Sequence, residues 1–467
     1  MSTDAEKARR DKAFIGHPIG LGWLSASEFW ERFSYYGMKA LLVLYLANWL
    51  LKPEHMAHVW GIEPFRQLMG WMYGAYSEKE LAIAITTFYG AFVYGTPIFG
   101  GLLADRLIGR TRTVVLGATL MTIGTFLMIP EQTFLVAIAL LLIGVGCFKG
   151  NIASQVGDLY AQSDPRRADG FQIYFLGIQI AVIIAPFICS TLGEKVDWRL
   201  GFASAGLAMV FGLIIYLLGR RNYPPEPLRK NAAAKEERPP LTRRDWAVLI
   251  VLVLLLPVLA LAVVGNQQIF AGYLVWTEKY YQMSVLGFQI PIGWMLSFDA
   301  GVSTVLMVGV IAFWRWWARR WREPDEITKI VIGTAISALA PLALAAISIY
   351  VDSHHGQKVP LIWALSFHMI NDLGFANVLP VGLALYSRAA PKGLGGVMIA
   401  IYYLHLLLGE YATGWIGAHY EKLPAPTFWM WHVYAMGTSA VVLLMARFAF
   451  GRLLAPSYDA PKEGAKA

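Results

Sequence analysis

The sequence predicts an all-α integral membrane protein of twelve transmembrane helices, arranged as two six-helix bundles. Three observations carry that expectation. Hydrophobic residues make up 57% of the chain and charged residues only 15%, where a soluble domain carries about 25% charged. The apolar residues fall in long blocks, such as 134–146, 202–218, 247–265 and 302–313, of the kind that a crossing of roughly 20 residues needs. One proline- and charge-rich stretch, 220–243, interrupts this rhythm near the middle of the chain.

Twelve spans are read in order at 19–50, 79–104, 112–130, 133–160, 168–191, 199–219, 244–280, 286–316, 327–351, 360–387, 393–419 and 427–452. The longer ones are expected to tilt or to protrude from the bilayer. Basic residues set the orientation. With the N-terminus placed in the cytoplasm, the inside segments collect 28 of the 39 Lys and Arg residues and the outside segments 8. Cytoplasmic loops are the ones enriched in Lys and Arg, so both termini are expected inside, in a multi-pass protein of a bacterial inner membrane surrounded by lipid. The same asymmetry accounts for the net charge of +8 without a nucleic-acid partner. The expected organisation is a cytoplasmic N-terminus (1–18), a first bundle (19–219), a cytoplasmic linker (220–243), a second bundle (244–452) and a cytoplasmic tail (453–467). The first 14 residues hold no apolar core, so no cleaved leader is expected. Cys147 and Cys189 both lie inside apolar blocks and suggest small buried side chains rather than a disulfide or a metal site.

Three of the basic residues, Arg32, Lys39 and Lys149, stand at membrane depth. In the first span the polar positions Glu28, Glu31, Arg32, Tyr35, Tyr36 and Lys39 recur at intervals of three and four, which is one stripe of a helix. Phe29, Trp30, Phe33 and Met38 take the other side. Ionisable groups in a membrane face a cavity or a partner and mark a functional site by default. Glu28 and Arg32 are spaced to pair at i,i+4. Lys149, in the fourth span, lies at a similar depth when counted at 1.5 Å per residue from the cytoplasmic end, and is expected as the counter-ion of one glutamate. Such a pair titrates as a coupled unit, and protonating the glutamate weakens it.

The second half holds Asp299 in span eight, Asp372 in span ten and Glu410 in span eleven, with His368 and His405 also at depth. Asp372, close to the midplane, reads as a proton or substrate site, or else as a cap within a broken helix. A lone histidine on an apolar span is more often a hydrogen-bonded core residue, which ranks the two histidines second. After span two, GGLLADRLIGRTRT offers Gly100 and Gly101 for close helix contact, and Asp105, Arg106 and Arg110 as clamps between helix ends. Motifs of catalysis, a phosphate loop, a metal-spaced cluster or a nucleophile elbow, do not occur. A non-enzymatic protein without a bound cofactor, driven by an ion gradient, is the expectation.

Two bundles joined by a central cytoplasmic loop are the layout of the major facilitator superfamily. Within it the chain resembles the proton-dependent oligopeptide transporters. EFWERFSYYG, from Glu28 to Gly37, fits their ExxERFxYYG signature. GGLLADRLIGR is similar to the superfamily's loop motif, GVGCFKGN from Gly144 to the family's span-four motif, FQIYFLGIQ from Phe171 to its span-five motif, and PVGLALYSRAAP from Pro380 to the segment closing span ten. The resemblance implies proton coupling through Glu28 and Glu31 with Arg32 and Lys149 as partners, Lys149 near a peptide carboxylate, Tyr35 and Tyr36 in the peptide pocket, and a Lys39–Glu278 outer gate. It also brings Gln179, Asn266 and Gln267 into the candidate pocket, which Asp299 and His405 join as polar side chains at membrane depth. Three positions depart from the family pattern, and the family's span-eight asparagine–proline motif is absent. Gln179 stands for an asparagine, Asn266 and Gln267 for an acid–glutamine pair, and Phe375 for the span-ten glutamate that holds the peptide amino group. Asp372, one turn earlier, is the candidate substitute.

The function these readings imply is proton symport of di- and tripeptides by alternating access, in a monomer whose partners are small peptides and protons. The same fold carrying an amino acid, nitrate or a modified peptide is the first alternative, and a receptor that binds peptide without moving it is the second.

Overall fold

The computed structural model describes residues 11–161, 164–224, 241–391 and 394–454. The expectations for residues 1–10, for 225–240 of the linker and for 455–467 of the tail lie outside them. The chain forms two compact units, one of residues 1–72, 76–233 and 283–300, the other of 73–75, 234–282 and 301–467.

In the first unit, α1 (Ile19–Tyr45) continues into a wider π turn over Leu46–Leu50. A helix absent from the expected spans, α2 (Ile62–Tyr73), follows. The second span starts at a capping box in which the Ser77 hydroxyl accepts from Glu80 N–H while the Glu80 carboxylate accepts from Ser77 N–H. It then breaks into α3 (Glu78–Gly95) and α4 (Pro97–Leu103). Pro97 restarts the helix because the first turn has no use for its missing N–H. Gly109, at φ +83°, makes the turn into α5 (Arg110–Leu127), and α6 (Phe134–Asp158), α7 (Arg166–Lys195) and α8 (Trp198–Gly219) complete the set. α1 packs on α7 and α8, while α5 and α4 pack on α6. At the α4–α6 crossing a Cβ on Gly100 would lie 2.9 Å from the Cys147 Cα, so only glycine permits the approach. Gly101 faces open space and takes no part in it, contrary to the expectation from the Gly-Gly pair.

The second unit shows where sequence periodicity misleads. Span seven is not one helix over 244–280 but three pieces: α9 (Arg243–Ala262), α10 (Val264–Gln268) and α11 (Gly272–Tyr280). Glycine and a run of amides weaken the helix at the breaks. Span eight starts later than expected, because residues 284–289 form a two-stranded hairpin, β2 (Ser284–Val285) with β3 (Phe288–Gln289), ahead of α12 (Trp294–Ala318). β1 (Tyr281–Gln282) pairs in parallel with β4 (Val359–Pro360). Span nine divides into α13 (Glu326–Ser337) and α14 (Ala340–Ser353), the second restarted by Pro341. α15 (Ala364–Ala389), α16 (Gly395–Gly417) and α17 (Ala425–Leu454) follow; α13 packs on α15, and α9 on α16 and α17.

Among the described residues ten helices are long and apolar enough to cross a membrane. The other two expected spans, α1 and α5, are helical in the expected places but more polar, α1 through its stripe of charges and α5 through Arg110 and Arg112. The first residues of span eight belong to the first unit. There the Glu194 carboxylate, at the end of α7, accepts from Ile292 N–H at 2.6 Å and Gly293 N–H at 2.8 Å, and so caps the start of α12. The Trp294 indole donates to Thr191 Oγ1 at 2.9 Å and its ring meets Phe187 edge-on at 4.9 Å.

Candidate functional site

The charged stripe of α1 exists as one buried surface. Glu28, Glu31, Arg32, Tyr35 and Lys39 are each 5% exposed or less, and Tyr36 is half-buried. The opposite face does what its composition predicts, with Trp30 packing against Phe211 of α8 at 5.2 Å. α1 can carry so many ionisable groups because they satisfy one another. The Arg32 guanidinium grips Glu31 with two bonds, Nε to Oε2 at 2.5 Å and Nη2 to Oε1 at 3.0 Å, and its Nε also lies 3.0 Å from Glu28 Oε1. One cation thus holds two carboxylates in a fork, the geometry in which charge-assisted bonds are strongest. Glu28 Oε2 is buried and makes no hydrogen bond among the described residues. Tyr174 of α7 faces the Glu28 carboxyl from the neighbouring helix.

The stripe continues upward through cation–π contacts. The Tyr35 ring has the Arg32 guanidinium at 5.3 Å and Lys39 Nζ at 6.0 Å, and it stacks on Tyr89 of α3 at 6.3 Å. Tyr36 meets Tyr35 edge-on at 4.9 Å. Of the two tyrosines, Tyr36 keeps the open surface.

Lys149 is not the ion-pair partner that its depth suggested. No ion pair joins it to Glu28 or Glu31; its ammonium sits 4.8 Å over the ring of Tyr94 at the end of α3. Arg32 takes both oxygens of Glu31 and one of Glu28, so the guanidinium of the same helix, and not Lys149, is the cation in contact with the two carboxylates. Lys149 remains half-buried and close enough for its charge to act on both glutamates. Two residues later Asn151 ties α6 to α4, donating to the carbonyl of Gly100 at 3.2 Å. Gln179 is half-buried on α7. Asp299, on α12, is buried. In the loop motif it is Arg110 that clamps, reaching Asp105 at 3.8 Å and pairing with Asp158 at the end of α6.

In the second unit, Asn266 and Gln267 fall on the short α10, Asn266 half-buried and Gln267 buried. Glu278 is exposed near the end of α11, where its backbone carbonyl accepts from Lys358 at 2.8 Å. Asp372 is fully buried on α15 and accepts from the Asn371 amide at 3.0 Å; α15 is unbroken there, so the reading of Asp372 as a cap within a broken helix is set aside. One turn before it, His368 Nε2 lies 2.8 Å from the Tyr273 hydroxyl of α11. His405 is buried against its own helix, with Nδ1 on the Tyr402 carbonyl, and its Nε2 finds no partner among the described residues. Phe375 is half-buried.

Sequence reasoning missed four aromatic or amide side chains at these sites. Tyr89, Tyr94 and Tyr174 lie in apolar segments where a single tyrosine carries no distinguishing signal. Gln268 follows Asn266 and Gln267 directly, is fully buried, and neither atom of its amide has a partner among the described residues.

The family model of the Major Facilitator Superfamily matches residues 33–414. A di-/tripeptide transporter of Lactococcus lactis subsp. cremoris is 30% identical, over 82% of this chain and 68% of its own length. The peptide transporter YePEPT of Yersinia enterocolitica is 25% identical, over 95% of this chain and 96% of its own. Among solved structures, a crystal structure of a mutant of the peptide transporter POT in complex with alafosfalin aligns over 97% of this chain and 99% of that one, with 26% identity and a TM-score of 0.79.

Proposed function

The chain belongs to the Major Facilitator Superfamily and, within it, to the proton-dependent oligopeptide transporters, and from that premise we propose that it is a proton-coupled symporter of di- and tripeptides. The observation that carries the coupling is the single guanidinium shared by Glu28 and Glu31. With both carboxylates ionised, Arg32 is held by three contacts. Glu28 Oε2 is the oxygen that takes a proton without breaking any of them. A second proton, on Glu31, removes a charge-assisted bond and frees Arg32 to turn toward a substrate carboxylate. Binding and protonation thereby favour each other, and that mutual preference is what moves peptide with protons when the site is exposed to each side in turn.

Lys149, whose ammonium lies over the face of Tyr94 and pairs with no carboxylate among the described residues, is the second cation for the peptide carboxylate. Tyr36 lines the pocket. Asp372, with Asn371, is the acid for the peptide amino group in place of the family's glutamate. Gln179, Asn266, Gln267, Asp299 and His405 complete the candidate pocket, and Lys39 with Glu278 the outer gate. The protein acts without a catalytic step or cofactor, as a monomer in a bacterial inner membrane with both termini in the cytoplasm.

Uptake of labelled dialanine into proteoliposomes, with and without an inward proton gradient, tests the reading. Accumulation that needs the gradient and is blocked by unlabelled di- and tripeptides supports it. Its absence, in vesicles that hold the gradient and folded protein, overturns it. Phe375 in the family's glutamate position favours a second reading, the same machinery on another small solute. Competition by free amino acids and nitrate separates the two.

A further inference from the structure

The end of α12 and the residues just after it read FWRWWARRWRE, residues 313–323, in which four arginines are interspersed with four tryptophans. Arg315, Arg319, Arg320 and Arg322 are all exposed, as are Trp316 and Trp321 at 42% and 51%. The rings form a continuous shelf: Trp321 lies 5.3 Å from Trp316 and 4.7 Å from Trp317, and the Arg320 guanidinium sits 4.8 Å over Trp316. The local acids do not neutralise this charge. Glu323 pairs with Lys329, Asp325 with Arg447 at 2.9 Å, and Glu326 with Arg388 at 2.6 Å. None of the four arginines has an ion-pair partner among the described residues. The patch lies at the end of a helix long and apolar enough to cross a membrane, Trp294–Ala318.

We propose that the Arg315–Arg322 segment is a binding surface for anionic phospholipid headgroups. The chemistry is complementary at each level. Tryptophan places its apolar ring and its N–H at the interface between acyl chain and headgroup. Guanidinium groups fork onto phosphate oxygens, and being weakly hydrated they do so at little desolvation cost. The ring under Arg320 keeps that side chain over the shelf, in a smaller set of orientations than a free arginine adopts. That the leaflet is the cytoplasmic one rests on the orientation proposed above. Counting lipids in detergent is blind to sidedness, so the two readings fail separately.

The test is native mass spectrometry of the full chain titrated with phosphatidylglycerol or with phosphatidylcholine. The wild type is expected to bind phosphatidylglycerol in preference, with the preference falling as salt rises. Each basic residue at an anionic surface contributes about five-fold, so Arg319→Gln with Arg320→Gln is expected to weaken phosphatidylglycerol binding roughly 25-fold and to leave phosphatidylcholine unchanged. Arg220→Gln with Arg221→Gln, an exposed basic pair in the other unit, serves as the control and is expected to change neither. Unchanged phosphatidylglycerol binding in the first variant, or an equal loss in the control, overturns the proposal. Should the first variant fail to fold, the wild type decides alone: a preference that is absent, or that does not weaken between low and high salt, overturns it.

Discussion

Glu31→Gln probes the fork directly. Glu31 spends both carboxylate oxygens on Arg32, at 2.5 and 3.0 Å, whereas Glu28 spends one, and its Oε2 has no hydrogen-bond partner among the described residues. Glutamine keeps one acceptor and turns an N–H toward the guanidinium, so it mimics protonated Glu31 and forfeits one charge-assisted bond. A hydrogen bond to a charged group is worth about 1.5–3 kcal/mol, and the variant is expected to lose about 2 kcal/mol of stability while remaining folded. The functional effect is larger and separable. Each pH unit is about 1.36 kcal/mol, so an inward gradient of about two units drives dialanine toward roughly 100-fold accumulation for each coupled proton. With Glu31→Gln the ratio is expected to fall to about one, since Arg32 is then released with or without a proton, and the proton on Glu28 Oε2 breaks no contact to Arg32 and so does not control it. Counterflow between labelled and unlabelled dialanine, which needs no gradient, is expected to persist. Glu28→Gln is expected to cost less stability, because only one contact to Arg32 is affected. Accumulation well above one in Glu31→Gln refutes the mechanism. So does loss of counterflow in folded protein, which would make Glu31 a binding residue instead of a coupling one.

Other expectations follow from single contacts. Gly100→Val places a side chain against the backbone of Cys147 and is expected to cost about 1–3 kcal/mol by overpacking, read as a lowered Tm, whereas Gly101→Ala meets open space and is expected to be neutral or to stabilise. Glu194→Ala leaves two N–H groups at the start of α12 without their acceptor and is expected to cost about 2 kcal/mol; an unchanged Tm would show that solvent replaces the cap. Gln268→Leu removes an amide that has no hydrogen-bond partner among the described residues, so thermal stability is expected to hold or rise. If that amide meets the peptide, the KM for dialanine rises about ten-fold, the value of one hydrogen bond, and an unchanged KM removes Gln268 from the pocket.

What the sequence made legible follows a physical division. Hydropathy reports the solvent around a helix, so the apolar blocks place nearly every crossing to within a few residues. Breaks inside a crossing are invisible to hydropathy. The interruption after Ala262 and the restart at Pro341 change which N–H and C=O groups are paired without changing the apolar content of the block. The charged stripe of α1 was legible because burying charge in a membrane is costly enough that every such residue demands an explanation. Which charge meets which was not legible, because depth is one coordinate and pairing needs three. Lys149 and Glu31 share a level, yet the guanidinium on the same helix is nearer and offers two donors where an ammonium offers one point of charge. Neutral polar residues are less legible still. A tyrosine at membrane depth is as compatible with packing as with binding, so Tyr89, Tyr94 and Tyr174 become informative only once the helices that carry them are placed beside α1. Gln268 is the sharper case, since a buried amide without partners is evident only after every neighbour has been located.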